Sequence, residues 1–172
     1  MKRIIVVGCP GSGKSVFSRE LHEVTGIPLC HLDVLRWNPD RTFVSREVML
    51  ERLGPILASE RWIIDGNYAS TMELRLRACD TVIFLDYPTE VCVEGYLSRR
   101  GIARPDMPWV EGADEVDAEF LGFIRSYNRE QRPEVFALLE RYPDKRQIVF
   151  QGRAEATAFL CGLKSAAKEK IT

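Results

Sequence analysis

Histidines are few, paired cysteine motifs are missing and apolar runs are short, and each absence excludes a class of protein. Two of the 172 residues are histidine, and no two of the five cysteines form a Cys-x-x-Cys pair. We therefore expect neither a zinc finger nor a disulfide scaffold, and free thiols fit the reducing cytoplasm. The first apolar run, residues 4–7, is shorter than the roughly 7–15 residues of a signal-peptide core and the about 20 of a membrane span. We expect a cytoplasmic protein that does not associate with membranes.

The sequence also lacks a surplus of positive charge. Lys and Arg number 24 against 25 Asp and Glu, a net charge of -1. Non-specific DNA binding depends on neutralising phosphates with basic side chains, so we do not expect direct nucleic-acid binding. No repeat, low-complexity tract or linker interrupts the chain, and its length is typical of one domain, here residues 1–172. The oligomeric state stays open between monomer and homodimer.

Short apolar runs alternate with helical periods along the chain. Predicted strands cover residues 4–7, 29–32, 62–64, 81–85 and 147–150. Helices are predicted after Lys14, after a Ser45 cap, at a Ser70 capping box, after Pro88, around residues 120–127 with a bend or a restart at Pro133, and over residues 154–163. Gly54-Pro55 should kink the second of these helices. Strands alternating with helices predict an α/β fold with a parallel sheet and right-handed crossovers.

One motif points directly to chemistry. Gly8-Cys9-Pro10-Gly11-Ser12-Gly13-Lys14-Ser15 fits G-x-x-x-x-G-K-[ST], with a buried strand before it and an amphipathic helix after it. Glycines let such a loop curl so that its backbone N–H groups face phosphate oxygens. In this pattern the lysine reaches the β- and γ-phosphates, and the serine hydroxyl ligates Mg²⁺. We predict that residues 8–16, ending at Val16, bind ATP together with Mg²⁺.

With this motif the chain resembles the adenylate-kinase-like P-loop kinases, and within them the family called DNA-topology modulation proteins. Besides the loop, the resemblance rests on His31-Leu32-Asp33, the stretches 62–68 and 81–86, and Arg99-Arg100-Gly101. It implies a P-loop NTPase three-layer fold with a five-stranded parallel sheet in the order 2-3-1-4-5. It also implies ATP as the phosphoryl donor and a mobile lid.

Three aspartates follow predicted strands. Asp33 ends the second strand, at the sheet edge where open α/β folds bind ligands. The resemblance implies that Asp33 contacts the acceptor or takes its hydroxyl proton; the alternative is a helix cap or a surface carboxylate. The resemblance places Asp65, after the third strand, in the Mg²⁺ shell, with Asp86 after the fourth as the competing candidate. Cys30 and His31 fit buried strand residues better than metal ligands.

The turn after Asp65 departs from the family pattern. Adenylate kinases carry Phe-Pro-Arg after the glycine that corresponds to Gly66, whereas this chain has Asn67-Tyr68-Ala69. The arginine that holds a nucleoside monophosphate is therefore missing. This difference weakens the case for a nucleoside monophosphate as acceptor.

A glycine- and proline-rich stretch, residues 101–114, is predicted to be a surface loop and to act as the lid. Arg99, Arg100 and Arg104 flank or lie in it, and we expect them to clamp the transferring phosphoryl group like arginine fingers. Further arginines follow at Arg125, Arg129 and Arg132. The alternative for these arginines is a solvated face that pairs with the acidic residues Asp114, Glu115, Asp117 and Glu119.

Together these features predict an ATP-dependent kinase that moves the γ-phosphoryl group to a small molecule, nucleoside or nucleotide. The predicted catalytic residues are Lys14, Asp33, Arg99, Arg100 and Arg104, and the predicted Mg²⁺ residues are Ser15 and Asp65. Residues 34–60 should form the wall on the acceptor side, with Trp37 and Tyr68 placed to line it; the alternative for Trp37 is packing in the core. Two alternatives stay open: a nucleotide-dependent regulator that acts on DNA topology or a protein partner, and a plain NTPase. The choice between ATP and GTP is also open.

Overall fold

The computed structural model describes residues 1–110, 112 and 116–169, and its centre is a parallel sheet. The strands are β1 (Arg3–Gly8), β2 (Leu29–His31), β3 (Trp62–Asp65), β4 (Thr81–Leu85) and β5 (Arg146–Phe150). Their order is β2-β3-β1-β4-β5, and every neighbouring pair is parallel. This arrangement confirms the fold class and the strand order that the resemblance implies.

Helices cover both faces of the sheet. They are α1 (Lys14–Thr25), α2 (Leu32–Arg36), α3 (Arg46–Ala58), α4 (Ala69–Ala78), α5 (Thr89–Ser98), α6 (Ala118–Glu130), α7 (Arg132–Glu140) and α8 (Arg153–Glu169). Side chains of β1 alternate between two buried clusters: Ile4 and Val6 pack with α1, α5, α6 and α8, whereas Ile5 and Val7 pack with α2, α3, α4 and α7. A strand buried on both faces needs an unbroken apolar run, which explains residues 4–7. Among the described residues, no helix combines the length and apolarity needed to cross a membrane.

Several predicted boundaries are confirmed. The Ser45 side chain accepts a hydrogen bond from the Val48 N–H at 3.3 Å and caps α3, which contains Pro55 within its length. A new helix, α7, starts at Arg132, next to Pro133. The last helix extends from Arg153 to Glu169, beyond the predicted residues 154–163.

Two predictions about local structure are wrong. The second strand ends at His31, because its last partner on β3 is Asp65 and the chain turns away at Gly66. Leu32 therefore begins α2, and Asp33 lies in the first turn of that helix rather than at a strand end. The helix predicted to start at a Ser70 cap begins earlier, at Ala69, with Tyr68 at the cap position and no side-chain cap.

Candidate active site

The loop between β1 and α1 has the geometry of a phosphate-binding loop. Gly11 and Gly13 have φ angles of 84° and 90°. A Cβ on Gly11 would lie 2.0 Å from the carbonyl oxygen of Cys92, so only glycine fits where the loop touches α5. Because α1 begins at Lys14, its N-terminus and its unpaired N–H groups adjoin the loop.

The polar side chains of the loop, those of Lys14 and Ser12, are placed where they could bind a phosphate. Lys14 Nζ donates hydrogen bonds to the carbonyl oxygens of Gly8 (2.8 Å) and Cys9 (3.0 Å). Burial lowers the pKa of Lys14, while nearby Cys9, Asp33 and Asp65 act in the opposite direction. Ser12 is 2% exposed, and its Oγ has no hydrogen-bond partner among the described residues. A phosphate oxygen would supply the acceptor that this hydroxyl lacks.

A single cavity of about 1150 Å³ connects the loop with the predicted acceptor side. Residues 10–16 line it from the loop, and Arg99, Arg104 and Asp106 line it from the predicted lid region. The acceptor side contributes Asp33, Trp37, Arg41, Tyr68 and Trp109. Ligand pockets usually measure roughly 300–1,000 Å³, so this cavity has room for a nucleotide and a second small molecule.

Asp33 is held in position by the turn that follows β3. The Tyr68 hydroxyl donates a 2.6 Å hydrogen bond to Asp33 Oδ1. Burial raises the pKa of Asp33, the Tyr68 hydrogen bond and Lys14 oppose this shift, and Asp65 and Asp106 add to it. A partly buried carboxylate with a raised pKa is a better proton acceptor than an exposed one.

The aspartates after β3 and β4 have different partners. Asp65 is 3% exposed, and its two carboxylate oxygens lie 2.9 and 3.0 Å from His31 Nδ1. Asp86 accepts hydrogen bonds from Arg132 at 2.6 and 2.8 Å and from Gln151 at 3.1 Å. Asp65 therefore keeps more acceptor capacity for other ligands than Asp86. The described residues contain no cluster of three or more His, Cys, Asp or Glu side chains that could hold a metal by themselves.

The predicted phosphate-clamping arginines lie in different surroundings. Arg104 lines the cavity and donates to Asp106 at 3.0 Å. Arg99 also lines the cavity, and its guanidinium lies 5.4 Å from the centroid of the Tyr96 ring. Arg100 does not line the cavity; its Nε and Nη1 are buried without a hydrogen-bond partner among the described residues.

The predicted lid is described only in part. Residues 111, 113 and 114 of the lid lie outside the described residues, as does the alternative that Asp114 and Glu115 pair with the arginines that follow. Asp117 accepts a hydrogen bond from the Phe120 N–H and so caps α6. Arg132 pairs with Asp86, and Arg129 pairs with Glu130 at 2.7 Å.

Asp106 is one functional candidate that sequence reasoning missed. It is 2% exposed and pairs with Arg19 of α1 at 3.2 Å as well as with Arg104. Burial acts to raise the pKa of Asp106, but Arg104, the Ser15 hydroxyl and His31 together lower it. Through Arg19, this carboxylate connects the loop after α5 to α1, close to Ser15. A single aspartate in a loop carries no sequence signal that would predict the contact with Arg19.

Arg75 is a second residue that the sequence did not single out. It is fully buried on α4 and donates to the carbonyl oxygens of Gly66 (2.9 Å), Asn67 (2.7 Å) and Tyr68 (3.3 Å). Asn67 in turn donates to the Gly8 carbonyl at 2.7 Å and accepts from the Gly8 N–H at 3.1 Å. The turn that presents Tyr68 to Asp33 is thus attached to the start of the phosphate-binding loop.

Solved structures resemble the whole chain. A shikimate kinase from Bacteroides thetaiotaomicron superposes with a TM-score of 0.62 at 18% identity, over 97% of this chain and 98% of that chain. The chain has the P-loop kinase fold. A gluconokinase from Sinorhizobium meliloti 1021 gives a TM-score of 0.56 at 20% identity, over 99% of this chain and 95% of that chain.

Sequence comparisons add no narrower assignment to this P-loop kinase fold. No protein-family model and no curated protein matches the chain. The resemblance to DNA-topology modulation proteins therefore stays a prediction.

Proposed function

We propose that the protein is an ATP-dependent phosphotransferase that moves the γ-phosphoryl group of ATP to a hydroxyl group of a small acceptor. The observation that carries the proposal is a cavity lined at once by the phosphate-binding loop and by the Asp33–Tyr68 pair. A hydrolase needs a place for water, whereas this cavity has room for a second molecule next to a positioned carboxylate. Among the solved structures that share the fold are a shikimate kinase and a gluconokinase.

The phosphate-binding loop has the groups needed to hold ATP. Its backbone N–H groups and the N-terminus of α1 bind the phosphates, and Lys14 exchanges the carbonyl oxygens of Gly8 and Cys9 for phosphate oxygens. Ser15 and Asp65 would hold Mg²⁺, because their side-chain oxygens are ligands of the kind that this ion prefers. When bound, Mg²⁺ would neutralise negative charge on the phosphates. The pairing of Asp86 with Arg132 favours Asp65 for this role.

Asp33 acts on the acceptor. Its carboxylate accepts the hydroxyl proton as the acceptor oxygen attacks the γ-phosphorus, and ADP leaves from the opposite side. The products are ADP, the phosphate ester and one proton. Tyr68 fixes the orientation of the carboxylate through its 2.6 Å hydrogen bond.

The arginines of the lid region complete the site. Arg99 and Arg104 already line the cavity, and their planar guanidinium groups suit bidentate contacts with a phosphoryl group. We assign Arg100 to the same clamp, which it joins only when the lid moves. Arg104 must then exchange the carboxylate of Asp106 for phosphate oxygens.

The test is acceptor-stimulated release of ADP. Purified protein with ATP and Mg²⁺ is screened against sugars, sugar acids, nucleosides and nucleotides, beside the Lys14→Ala and Asp33→Asn variants. We expect at least one acceptor to accelerate ADP release, and both variants to reduce this acceleration strongly. ATP hydrolysis at the same rate with and without every acceptor would instead identify a plain NTPase.

A further inference from the structure

The acceptor end of the cavity contains a small hairpin between α2 and α3. Trp37 and Phe43 form an antiparallel bridge. The Asn38 N–H donates to the Thr42 carbonyl at 2.8 Å, and the Arg41 N–H donates to the Asn38 carbonyl at 3.1 Å. These contacts close a tight turn with Arg41 near its end.

Arg41 has an unusual backbone conformation. Its φ angle is 66°, and among the described residues it is the one non-glycine residue whose φ lies well inside the left-handed region. In three-residue hairpin loops the left-handed position is commonly a glycine, because a Cβ there is crowded. Formation of the hairpin therefore does not explain why an arginine occupies this position. Strained residues of this kind cluster at ligand-binding sites.

The Arg41 side chain lies against the lid region. Its guanidinium carbon is 5.0 Å from the centroid of the Trp109 ring, and Nη2 donates to the Val110 carbonyl at 3.2 Å. Trp109 contacts Trp37 edge to face, with ring centroids 5.9 Å apart. Stacking on an indole fixes the plane of the guanidinium, which is what a bidentate contact with a planar anion requires.

At the acceptor end of the cavity, the hydrogen-bond donors outnumber the acceptors that are available to them. Arg41 has five N–H donors, and with the described residues it makes one hydrogen bond and no ion pair. The indole N–H of Trp109 is buried and has no partner among the described residues. The nearby carboxylates are already engaged, Asp33 by Tyr68 and Asp106 by Arg19 and Arg104.

We propose, resting on the proposed function, that Arg41, Trp37 and Trp109 form a subsite for an anionic group on the acceptor. The acceptor is then a small hydroxylated molecule that carries a carboxylate or a phosphate. Its hydroxyl reaches Asp33, its anionic group binds the Arg41 fork, and an apolar face of its skeleton lies on the indole rings. Neutral and cationic molecules of the same shape bind more weakly.

Intrinsic fluorescence offers a test that needs no ATP. Of the three tryptophans, Trp37 and Trp109 lie at the subsite, while Trp62 is 1% exposed in the core. The probes share one ring and differ in one substituent: D-glucose, D-glucosamine, D-glucuronate and D-glucose 6-phosphate. We expect saturable quenching with the carboxylate, the phosphate or both, at a dissociation constant about 10- to 100-fold below that of glucose. The relative affinity of the two anionic probes identifies the preferred group.

Variants separate a ligand-binding role of Arg41 from a structural one. Arg41→Gly removes the side chain but favours the left-handed backbone, so this variant should unfold at the same or a higher urea concentration and yet lose the preference for anions. Arg41→Lys keeps the charge without the fork and should retain part of the preference. Arg46→Ala, an exposed arginine at the start of α3, is the matched control and should bind like the wild type.

The outcomes distinguish this inference from the proposed function. Equal affinity for charged and neutral probes, no saturable quenching with any probe, or unchanged binding by Arg41→Gly would overturn the subsite. Phosphoryl transfer that is unaffected by Arg41→Gly would leave the kinase proposal standing without it. Anion binding through Arg41 in a protein that transfers phosphate to no acceptor would contradict the kinase proposal instead.

Discussion

The Tyr68 hydroxyl donates a 2.6 Å hydrogen bond to Asp33, joining the turn after β3 to the first turn of α2. Because Asn67, the residue before Tyr68, is bonded to Gly8, the same turn also touches the phosphate-binding loop. The proposed proton acceptor and the proposed phosphate site are therefore held by one short segment. This connection makes the protonation of Asp33 a sensitive reporter of the site.

Tyr68→Phe should move the acid limb of the pH profile. Burial raises the pKa of Asp33 and the Tyr68 hydrogen bond lowers it, so losing the hydroxyl raises the pKa further. A base must be deprotonated, and its activity is lost as the pH falls through its pKa. We therefore expect the acid limb of kcat/KM in Tyr68→Phe to lie at higher pH than in the wild type. Asp33→Asn is the control and should lack this limb; an identical limb in wild type and Tyr68→Phe would assign it to another group.

Lys14→Ala should preserve the fold and abolish most turnover. The loop is shaped by glycine and backbone contacts, and the amine donates hydrogen bonds to two carbonyl oxygens of the loop itself. Removing a charged transition-state contact costs about 3 kcal/mol, or roughly 10²–10³ in rate. Circular dichroism and kcat measure the two effects separately. Unchanged turnover in a folded variant would show that the loop is not the phosphate site.

Gly95→Ala should weaken nucleotide binding from outside the loop. A Cβ at Gly95 of α5 would lie 2.1 Å from the carbonyl oxygen of Gly11, so the loop must shift. We expect the dissociation constant for ADP to rise and the protein to be destabilised by about 1–3 kcal/mol.

The matched control for Gly95→Ala is Gly122→Ala on α6, where an added Cβ meets nothing within 4 Å. It should raise helix stability by about 0.5–1 kcal/mol and leave ADP binding unchanged. Equal ADP affinity in Gly95→Ala and in wild type would mean that contact with α5 does not shape the loop.

Asp106→Asn should loosen the lid region before nucleotide binds. The substitution keeps the shape of the side chain but removes the charge that Arg19 and Arg104 share. We expect faster hydrogen exchange over residues 101–110 in the variant without ligand. ATP analogues should slow exchange in both proteins, because phosphates then contact the arginines. The difference in exchange rate between wild type and Asp106→Asn should therefore become smaller.

Asp144→Asn removes an exposed carboxylate far from the lid along the chain and serves as the control for Asp106→Asn. It should leave lid exchange unchanged. Equal exchange in wild type and Asp106→Asn, with and without nucleotide, would mean that these ion pairs do not hold the lid region.

The sheet and the phosphate-binding loop could be predicted because their signals are local. Each central strand is buried on both faces and appears as an apolar run, and the loop motif needs only eight consecutive residues. The Ser45 cap and the helix restart at Pro133 have the same origin. Such signals depend on neighbours within a few positions, which the sequence displays directly.

The contacts that complete the site join distant positions. The sequence favours a buried strand residue at His31, but its contact with Asp65 depends on the register between β2 and β3. The pairing of Asp106 with Arg19 spans 87 positions. Ser70 has the residue pattern of a cap, but buried Arg75 binds the preceding turn and the helix starts before it. No local pattern contains these tertiary contacts.

The fate of the γ-phosphoryl group tests the central claim most directly. ³¹P NMR can follow ATP and Mg²⁺ with the protein and an acceptor from the screen, with Lys14→Ala as the blank. We expect a phosphate-ester signal to replace the γ-phosphate signal at the rate at which ADP forms, and we expect Asp33→Asn to slow the appearance of the ester. Inorganic phosphate as the only new signal with every acceptor, or no loss of ATP at all, would contradict the account.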